Sequence, residues 1–438
     1  MTNEQMTVDA AWEPRATDAM LRTLADRPIT PAQKGFAGLV LATTPRELVD
    51  RGATLADPVF STPLLVLRES AIDHNVKTLA DYCARRGVVH APHGKTAMSP
   101  ELFSRQLAAG SWGLTAASVT QARAFADSGA RRILIANEVT DPVAIGALSR
   151  MLDDVDGLEV YCYVDSERGI AALSEVFAGR DHSPALLVEV GVVGGRTGVR
   201  NADDAIALAT SAVAQGLRIA GVSCFEGPVA HGGDGRAAVA ELFRATRSIG
   251  ERLHELGLLD PPASGGSLVF SAGGSHHFDL VADIFGDAAV PEPRIVVRSG
   301  SYIVHDHGTF VADSPSVRGA DIEPFLSAIE VFATVLSRPE PGLALFDAGR
   351  RDVSFDAGMP VVLSARHRDG EPIETDGFAV YELNDQHGFL RVPHRSSLEV
   401  GDTLVLGISH PCTTFDKWTL AILADDDDRI TGVAHTFF

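Results

Sequence analysis

Lysine is scarce in this chain: Lys34, Lys77, Lys95 and Lys417 are the only four in 438 residues. A lysine placed away from a solvated face therefore stands out. Cysteine is equally sparse. Cys83, Cys162, Cys224 and Cys412 lie far apart and form no CxxC pair, which excludes a disulfide framework. Basic charge is short as well, with 37 Lys and Arg against 58 Asp and Glu and a net charge of -21. That sign argues against nucleic acid and anionic membranes as partners, because nothing neutralises phosphate over a broad surface. A small anionic ligand in a local pocket remains compatible with it. No run of about 18 apolar residues exists for a membrane span. The polar, acidic start MTNEQMTVDAAWEPRATDAM lacks the basic-then-apolar layout of a secretory signal. The expectation is a cytoplasmic protein in reducing surroundings, with a free thiol at Cys412.

What is present is an ordinary apolar content of 45%, enough for a sizeable core, and a length that suits two domains or one large barrel with an appendage. From about residue 70, short apolar runs alternate with longer amphipathic stretches. The strand-like runs are Val88–Ala91, Trp112–Thr115, Ile133–Ala136, Leu158–Val164, Ala185–Val190, Leu217–Ser223, Ser267–Phe270 and Arg294–Val297. Helical patterns such as Val119–Ser128, Ser166–Phe177 and Arg236–Leu256 fall between them. Eight such units predict a closed (β/α)8 TIM-like barrel, with an open doubly wound sheet as the alternative. After about residue 311 the rhythm changes to short strands separated by Gly, Pro and Asp turns, which predicts an antiparallel β domain. The expected domains are an N-terminal extension over 1–61 that packs on the others, a barrel over 62–312 and a β-rich domain over 313–438. The run Asp425–Asp428 reads as a solvated turn between two strands.

In a barrel, functional residues sit on the loops that follow the strands. Lys95 follows the first strand, in Pro92-His93-Gly94-Lys95-Thr96. A lysine where a buried strand opens into a loop is placed to act as a nucleophile or base, whereas the plain reading is a surface lysine in a turn. His93, two residues earlier, could share its face. After the fifth strand come Gly194-Gly195-Arg196-Thr197-Gly198, which leave Arg196 prominent. His231 follows the sixth. The loops after the seventh and eighth strands, Ser271–Ser275 and Arg298–Tyr302, are rich in Gly and Ser. Backbone N–H groups freed by glycine, with hydroxyls beside them, make an anion nest. Two such loops opposite a candidate lysine point to a phosphate-bearing cofactor that forms a Schiff base, namely pyridoxal phosphate.

Near the C-terminus, His410-Pro411-Cys412 offers an imidazole and a thiol. An extended backbone there would put both on one face. That donor pair suits zinc, although a buried cysteine beside a chance histidine is the plain alternative. Two protein ligands leave positions for water or substrate. His387 reads as a pocket residue rather than a ligand. His276 and His277 read as helix-end residues, and His305-Asp306-His307 as a solvent-exposed turn or a subunit contact.

Together the Pro92–Thr96 segment, the Gly195–Gly198 turn, the Ser271–Ser275 and Arg298–Tyr302 loops and the terminal His410-Pro411-Cys412 resemble the D-serine dehydratase/D-threonine aldolase family. The resemblance covers roughly residues 60 to 425. It implies the alanine-racemase type of barrel with a C-terminal β domain, and a homodimer. It further implies pyridoxal 5'-phosphate on Lys95 and a divalent metal, zinc or else manganese, held by His410 and Cys412. Arg196 matches the arginine that faces the cofactor's phenolic oxygen. His93 is a candidate cofactor contact, and Gly274, Ser275, Gly300, Ser301 and Tyr302 fall on the phosphate loops. Arg298 matches less well, since its side chain could pack at the strand end. The family more often carries a side chain at the position of Gly94, and polar residues at those of Ala97 and Met98. These departures bear on the substrate more than on the chemistry.

The reaction implied is β-elimination from a β-hydroxy D-amino acid such as D-serine, giving a keto acid and ammonia. Lys95 is then both Schiff-base lysine and α-proton base, and His231 a second acid or base. The near alternative is D-threonine aldolase chemistry, giving glycine and an aldehyde. Aldolases of the family tend to have aspartate at the position of Cys412, so the thiol favours the dehydratase branch. A pyridoxal-phosphate carrier without turnover is the reading from a different class, and the β domain with its His-Pro-Cys argues against it.

Overall fold

The structure is a computed structural model that describes residues 12–229, 235–261 and 266–438. The chain forms two compact units. One holds Leu79–Lys95 and Phe103–Gly300 together with the stretch up to Thr17; the other holds Asp18–Thr78, Thr96–Leu102 and Ser301–Phe438.

The first unit is built on eight parallel strands: Val89–His90, Leu114–Ala116, Arg132–Glu138, Glu159–Val164, Ala185–Val190, Ile219–Cys224, Val269–Ala272 and Arg294–Val297. All eight expected strands are present, with ends shifted by a few residues. Successive strands pair from the second to the eighth, and the eighth pairs with the first. The remaining gap is spanned by Trp112 N–H to His90 O (2.7 Å) and Thr115 N–H to Pro92 O (2.8 Å), with a parallel bridge between His93 and Thr115. The ring is therefore a (β/α)8 barrel. Strands such as Ala185–Val190 are buried at every position, because helices cover one face and the barrel interior the other. Inside, Trp112, Leu134, Tyr161, Tyr163, Leu187, Val269 and Val296 form one apolar cluster.

Four outer helices begin at residues that accept a backbone N–H: Ser118, Asp141, Ser166 and Asn201. Each cap satisfies a donor that the first helical turn leaves free, at about 1 kcal/mol. The caps fix where each loop ends, and so where the strand-end residues point.

The second unit is a ten-stranded, mainly antiparallel sheet. Its spine is Ile329–Glu340, flanked by Thr403–Gly407 and by Leu64–Arg68, which runs parallel to Leu420–Ala424. Ile29, Phe36, Leu39 and Leu48 pack on Leu64, Val66, Leu420 and Ile422, so the chain before residue 60 covers part of this sheet. Asp425–Asp428 connects Leu420–Ala424 to Ile430–His435 as expected. It is not purely solvated, since Arg68 donates to Asp428 Oδ1 at 2.7 Å and Ser70 to Asp426 Oδ1 at 2.7 Å. Among the described residues no helix is long and apolar enough to cross a membrane.

Candidate active site

Lys95 lies in a single 3-10 turn, Gly94–Thr96, directly after the first barrel strand, and its side chain is exposed. The turn can form there because Gly94 sits on an aromatic ring. A Cβ at Gly94 would come 2.5 Å from Phe125 Cζ. Phe125 is itself fixed by an edge contact with Phe103. The glycine that departs from the family pattern is thus required by packing under the lysine. His93 has its Nδ1 buried without a partner. Burial, followed by the charges of Lys95 and Arg298, holds its proton affinity well below the usual histidine range, so the ring is neutral. His90 sits deeper, bonded through Nε2 to Ser299 O at 2.8 Å, and burial pushes it down to about 4.

The glycine-rich loop after the seventh strand turns at Gly273, whose φ of +90° favours glycine. Gly274 N–H, expected to face a phosphate, donates to Glu226 Oε1 at 2.5 Å. Ser275 is buried, and Ser299 Oγ donates to Gly274 O at 3.0 Å, which joins the seventh and eighth loops. Arg298 is buried at the strand end. Its Nη1 donates to Ser223 Oγ (3.0 Å) and Ser271 Oγ (2.6 Å), and its Nη2 to Cys224 O (2.7 Å). Arg196 is exposed, with its guanidinium 4.8 Å from the centre of the Phe225 ring. Gly300 ends this unit. His231 lies outside the described residues.

Three carboxylates that the sequence reading gave no role line the same strand ends. Glu226 is buried with Oε2 unpartnered, and burial raises its proton affinity. Glu138 is pushed up to about 8 by burial and by the neighbouring Glu189 carboxylate. Glu189 Oε2 and both oxygens of Glu138 lack a hydrogen-bond partner. A glutamate closing an apolar strand was the available signal. Buried polar atoms without partners are uncommon in folded proteins. His93 Nδ1, Glu226 Oε2 and Glu189 Oε2 gather at the end of the barrel that carries Lys95, which fits a polar ligand held there. The donor set, a lysine with neutral imidazole, hydroxyls and a tight glycine turn, suits pyridoxal phosphate.

In the second unit, Cys412 opens a helical turn, Cys412–Phe415, and Pro411 is already helical. The segment is not extended, so alternation along a strand does not bring the pair together; the turn does. Hydrogen bonding to Cys412, and then to Asp356, raises the proton affinity of His410 to about 9. Asp356 Oδ2 lies 2.7 Å from His410 Nδ1, and Thr413 Oγ1 donates to Asp356 Oδ1 at 2.7 Å. With a carboxylate on Nδ1, Nε2 is the ring atom left on the side of a metal, the arrangement that metal-binding histidines usually have. The pair fits a metal that also takes water or substrate. No group of three or more His, Cys, Asp and Glu with metal-binding geometry occurs among the described residues.

Ser301 and Tyr302 lie in a 3-10 turn, with Tyr302 buried edge-on against Phe325 at 5.8 Å. His387 is exposed in a strand-connecting turn. His305-Asp306-His307 is largely buried rather than a solvent-exposed turn. His305 stacks on Phe310 at 4.5 Å, and Asp306 Oδ1 accepts the N–H of Gly308 and Phe310.

Comparison with known proteins agrees with this layout. The family model "Putative serine dehydratase domain" matches residues 328–424. The D-threonine aldolase of an Arthrobacter species is 29% identical over 364 residues, covering 81% of this chain and 86% of that protein. The D-threo-3-hydroxyaspartate dehydratase of a Delftia species is 27% identical over 381 residues, covering 81% and 91%. The crystal structure of D-threonine aldolase from Filomicrobium marinum superposes with a TM-score of 0.73 at 25% identity, covering 86% of this chain and 95% of that one. With its barrel and its antiparallel domain, the chain is similar in sequence and in fold to these D-threonine aldolases and D-threo-3-hydroxyaspartate dehydratases, and residues 328–424 match the serine dehydratase-type domain.

Proposed function

We propose that this protein is a pyridoxal-phosphate-dependent lyase that eliminates water from a β-hydroxy D-amino acid such as D-serine, releasing a 2-keto acid and ammonia. The observation that carries the reading is the thiol–imidazole pair of Cys412 and His410, with Asp356 seating the imidazole. Thiolate and imidazole favour zinc over the harder cations. A zinc held there, with manganese as the alternative, supplies a Lewis acid for the β-hydroxyl. Lys95 would hold the cofactor, which would supply an electron sink at Cα. The same Lys95 amine would be placed to take the proton from Cα. His93, neutral at working pH, contacts the cofactor without adding charge, alongside Arg196, Gly274, Ser275 and Gly300. Ser301 and Tyr302 continue that loop in sequence. His231 is the candidate second acid or base.

A second reading is retro-aldol cleavage to glycine and an aldehyde, favoured by the aldolase relative at 29% identity. One experiment separates the two. The purified enzyme is given a panel of D- and L-β-hydroxy amino acids, and ammonia, keto acid and aldehyde are assayed together. Ammonia with keto acid supports dehydration, whereas aldehyde with glycine supports the aldolase. Neither product from any member would overturn both, and leave the carrier reading.

The protein is proposed to act as a homodimer, which the exposed apolar Phe355, Met359, Val361 and Leu363 support. Sedimentation of the purified chain tests it. The free state of all four cysteines supports a cytoplasmic location.

A further inference from the structure

The geometry points to Thr96, the residue after Lys95 in the chain, as a positioning residue for the Cys412 sulfur. The inference rests on the reading of His410 and Cys412 as a metal pair. Cys412 Sγ donates to Thr96 Oγ1 at 3.4 Å. Thr96 is 3% exposed, so water does not compete for its hydroxyl. A hydroxyl both accepts and donates. It accepts from the thiol as it stands here. Once the sulfur has lost its proton to bind a metal, the same hydroxyl can rotate and donate to it. Valine, with the same shape, can do neither.

The contact is not that of a loose loop. Residues 96–102 are tied to the C-terminal end of the same unit. Met98, with φ of +47°, gives its carbonyl to the Phe437 N–H at 3.0 Å. Glu101 takes the His435 ring at 2.8 Å and the His435 N–H at 3.2 Å, and Ser99 Oγ donates to it at 2.9 Å. These ties hold Thr96 against the sulfur. Asp356 has the corresponding place on His410, so each member of the pair has its own orienting partner. Removing such a partner typically lowers metal affinity about 10- to 100-fold.

The test uses the full-length protein and cobalt(II) as a probe, because cobalt reports a bound thiolate by a sulfur-to-metal charge-transfer band. Affinity for zinc is measured by competition with a chelating dye. Thr96→Val is expected to shift the cobalt band and weaken zinc about 10- to 100-fold, and Thr96→Ser to restore both. A purely structural role would show in melting temperature but would leave the band position unmoved. If Thr96→Val does not fold, Thr96→Ala carries the same comparison. Wild-type band and zinc affinity in the hydroxyl-free variant would overturn the role of Thr96. No charge-transfer band in the wild type, or a band that survives Cys412→Ser, would instead overturn the metal-pair reading itself.

Discussion

Arg298 is where geometry and charge at the barrel mouth can be separated. Its fork makes three bonds, to Ser223 Oγ, Ser271 Oγ and Cys224 O. Arg298→Met keeps most of the volume and removes all three. The loss is smaller than three charge-assisted bonds, because both hydroxyls stay satisfied. Ser223 Oγ still donates to Tyr163 at 2.8 Å, and Ser271 Oγ to Val296 O at 3.0 Å. Each loses only an accepted bond, while the Cys224 carbonyl loses a charged donor outright. Bonds to charged groups contribute about 1.5–3 kcal/mol each, and relief from burying a cation offsets part of that. The net cost is about 3 kcal/mol.

With a urea slope of about 3 kcal/mol/M, the midpoint falls by about 1 M, read by tryptophan fluorescence. Arg298→Lys keeps the charge but reaches fewer acceptors, so it should fall between the two. The cation also helps keep Glu226 ionised and His93 neutral. The methionine variant therefore raises the proton affinity of both, and the lysine variant does not. A midpoint within about 0.2 M of wild type for Arg298→Met, on that same slope, would show that the fork holds nothing together. Equal losses in the two variants would show that charge placement, not geometry, was misjudged.

Acid sensitivity follows from His90. Its folded value is about 4 against an ordinary 6.5, so the unfolded chain takes up a proton that the folded ring refuses. Stability is full above pH 6.5 and falls by roughly 3 kcal/mol as pH drops to 4; His90→Gln, which can keep the bond to Ser299 O, should flatten that slope in urea titrations at each pH. Gly94→Ala brings a Cβ to 2.5 Å from Phe125 Cζ, and overpacking of this kind costs about 1–3 kcal/mol; Phe125→Leu in the same chain should recover most of the loss in a thermal melt. Lys95→Ala should abolish the visible absorption of bound pyridoxal phosphate, with circular dichroism checking that the variant is folded. Chelation should remove activity and zinc restore it, whereas unchanged metal content and rate in Cys412→Ala would contradict the metal assignment.

The barrel was legible because its strands are buried on both faces. Apolar runs such as Leu186–Val188 cannot be hidden in a sequence. The antiparallel unit was legible only in part, since a strand with one exposed face carries half the signal. Ile329–Glu340 passed unnoticed because Phe332 and Leu336, on its less buried face, blur the alternation of Ile329, Val331, Ala333 and Val335. Val361–Arg366 is exposed or half-exposed at most positions, and its apolar run Val361-Val362-Leu363 is too short to mark a strand by itself. Lys95 and Cys412 were found because their residue types are rare here. Glu138, Glu189 and Glu226 were not assigned roles because acidic residues are common, and a glutamate at the end of an apolar strand is a weak signal until its surroundings are seen. The solvent-turn reading of His305–His307 failed because the stacking of His305 on Phe310 depends on a helical turn that follows it.

Overall likeness cannot choose the reaction. Aldolase and dehydratase relatives match this chain at 29% and 27% identity over similar spans. Both reactions begin with a lysine, a cofactor and a β-hydroxyl, so the barrel serves either. They part at the β-oxygen. Dehydration needs that oxygen to leave carrying its electrons, and retro-aldol cleavage needs it to give up a proton and form a carbonyl. A Lewis acid beside the hydroxyl helps both steps, so the presence of a metal is neutral between them. What differs is how strongly the metal's own ligands donate. A thiolate gives more charge to zinc than a carboxylate and makes a bound hydroxyl less acidic. That weakens the aldolase step more than the elimination, because only the former demands the alkoxide. On the proposed reading of His410 and Cys412 as a metal pair, the residue at position 412 would bear on the outcome more directly than the overall identity to either kind of relative.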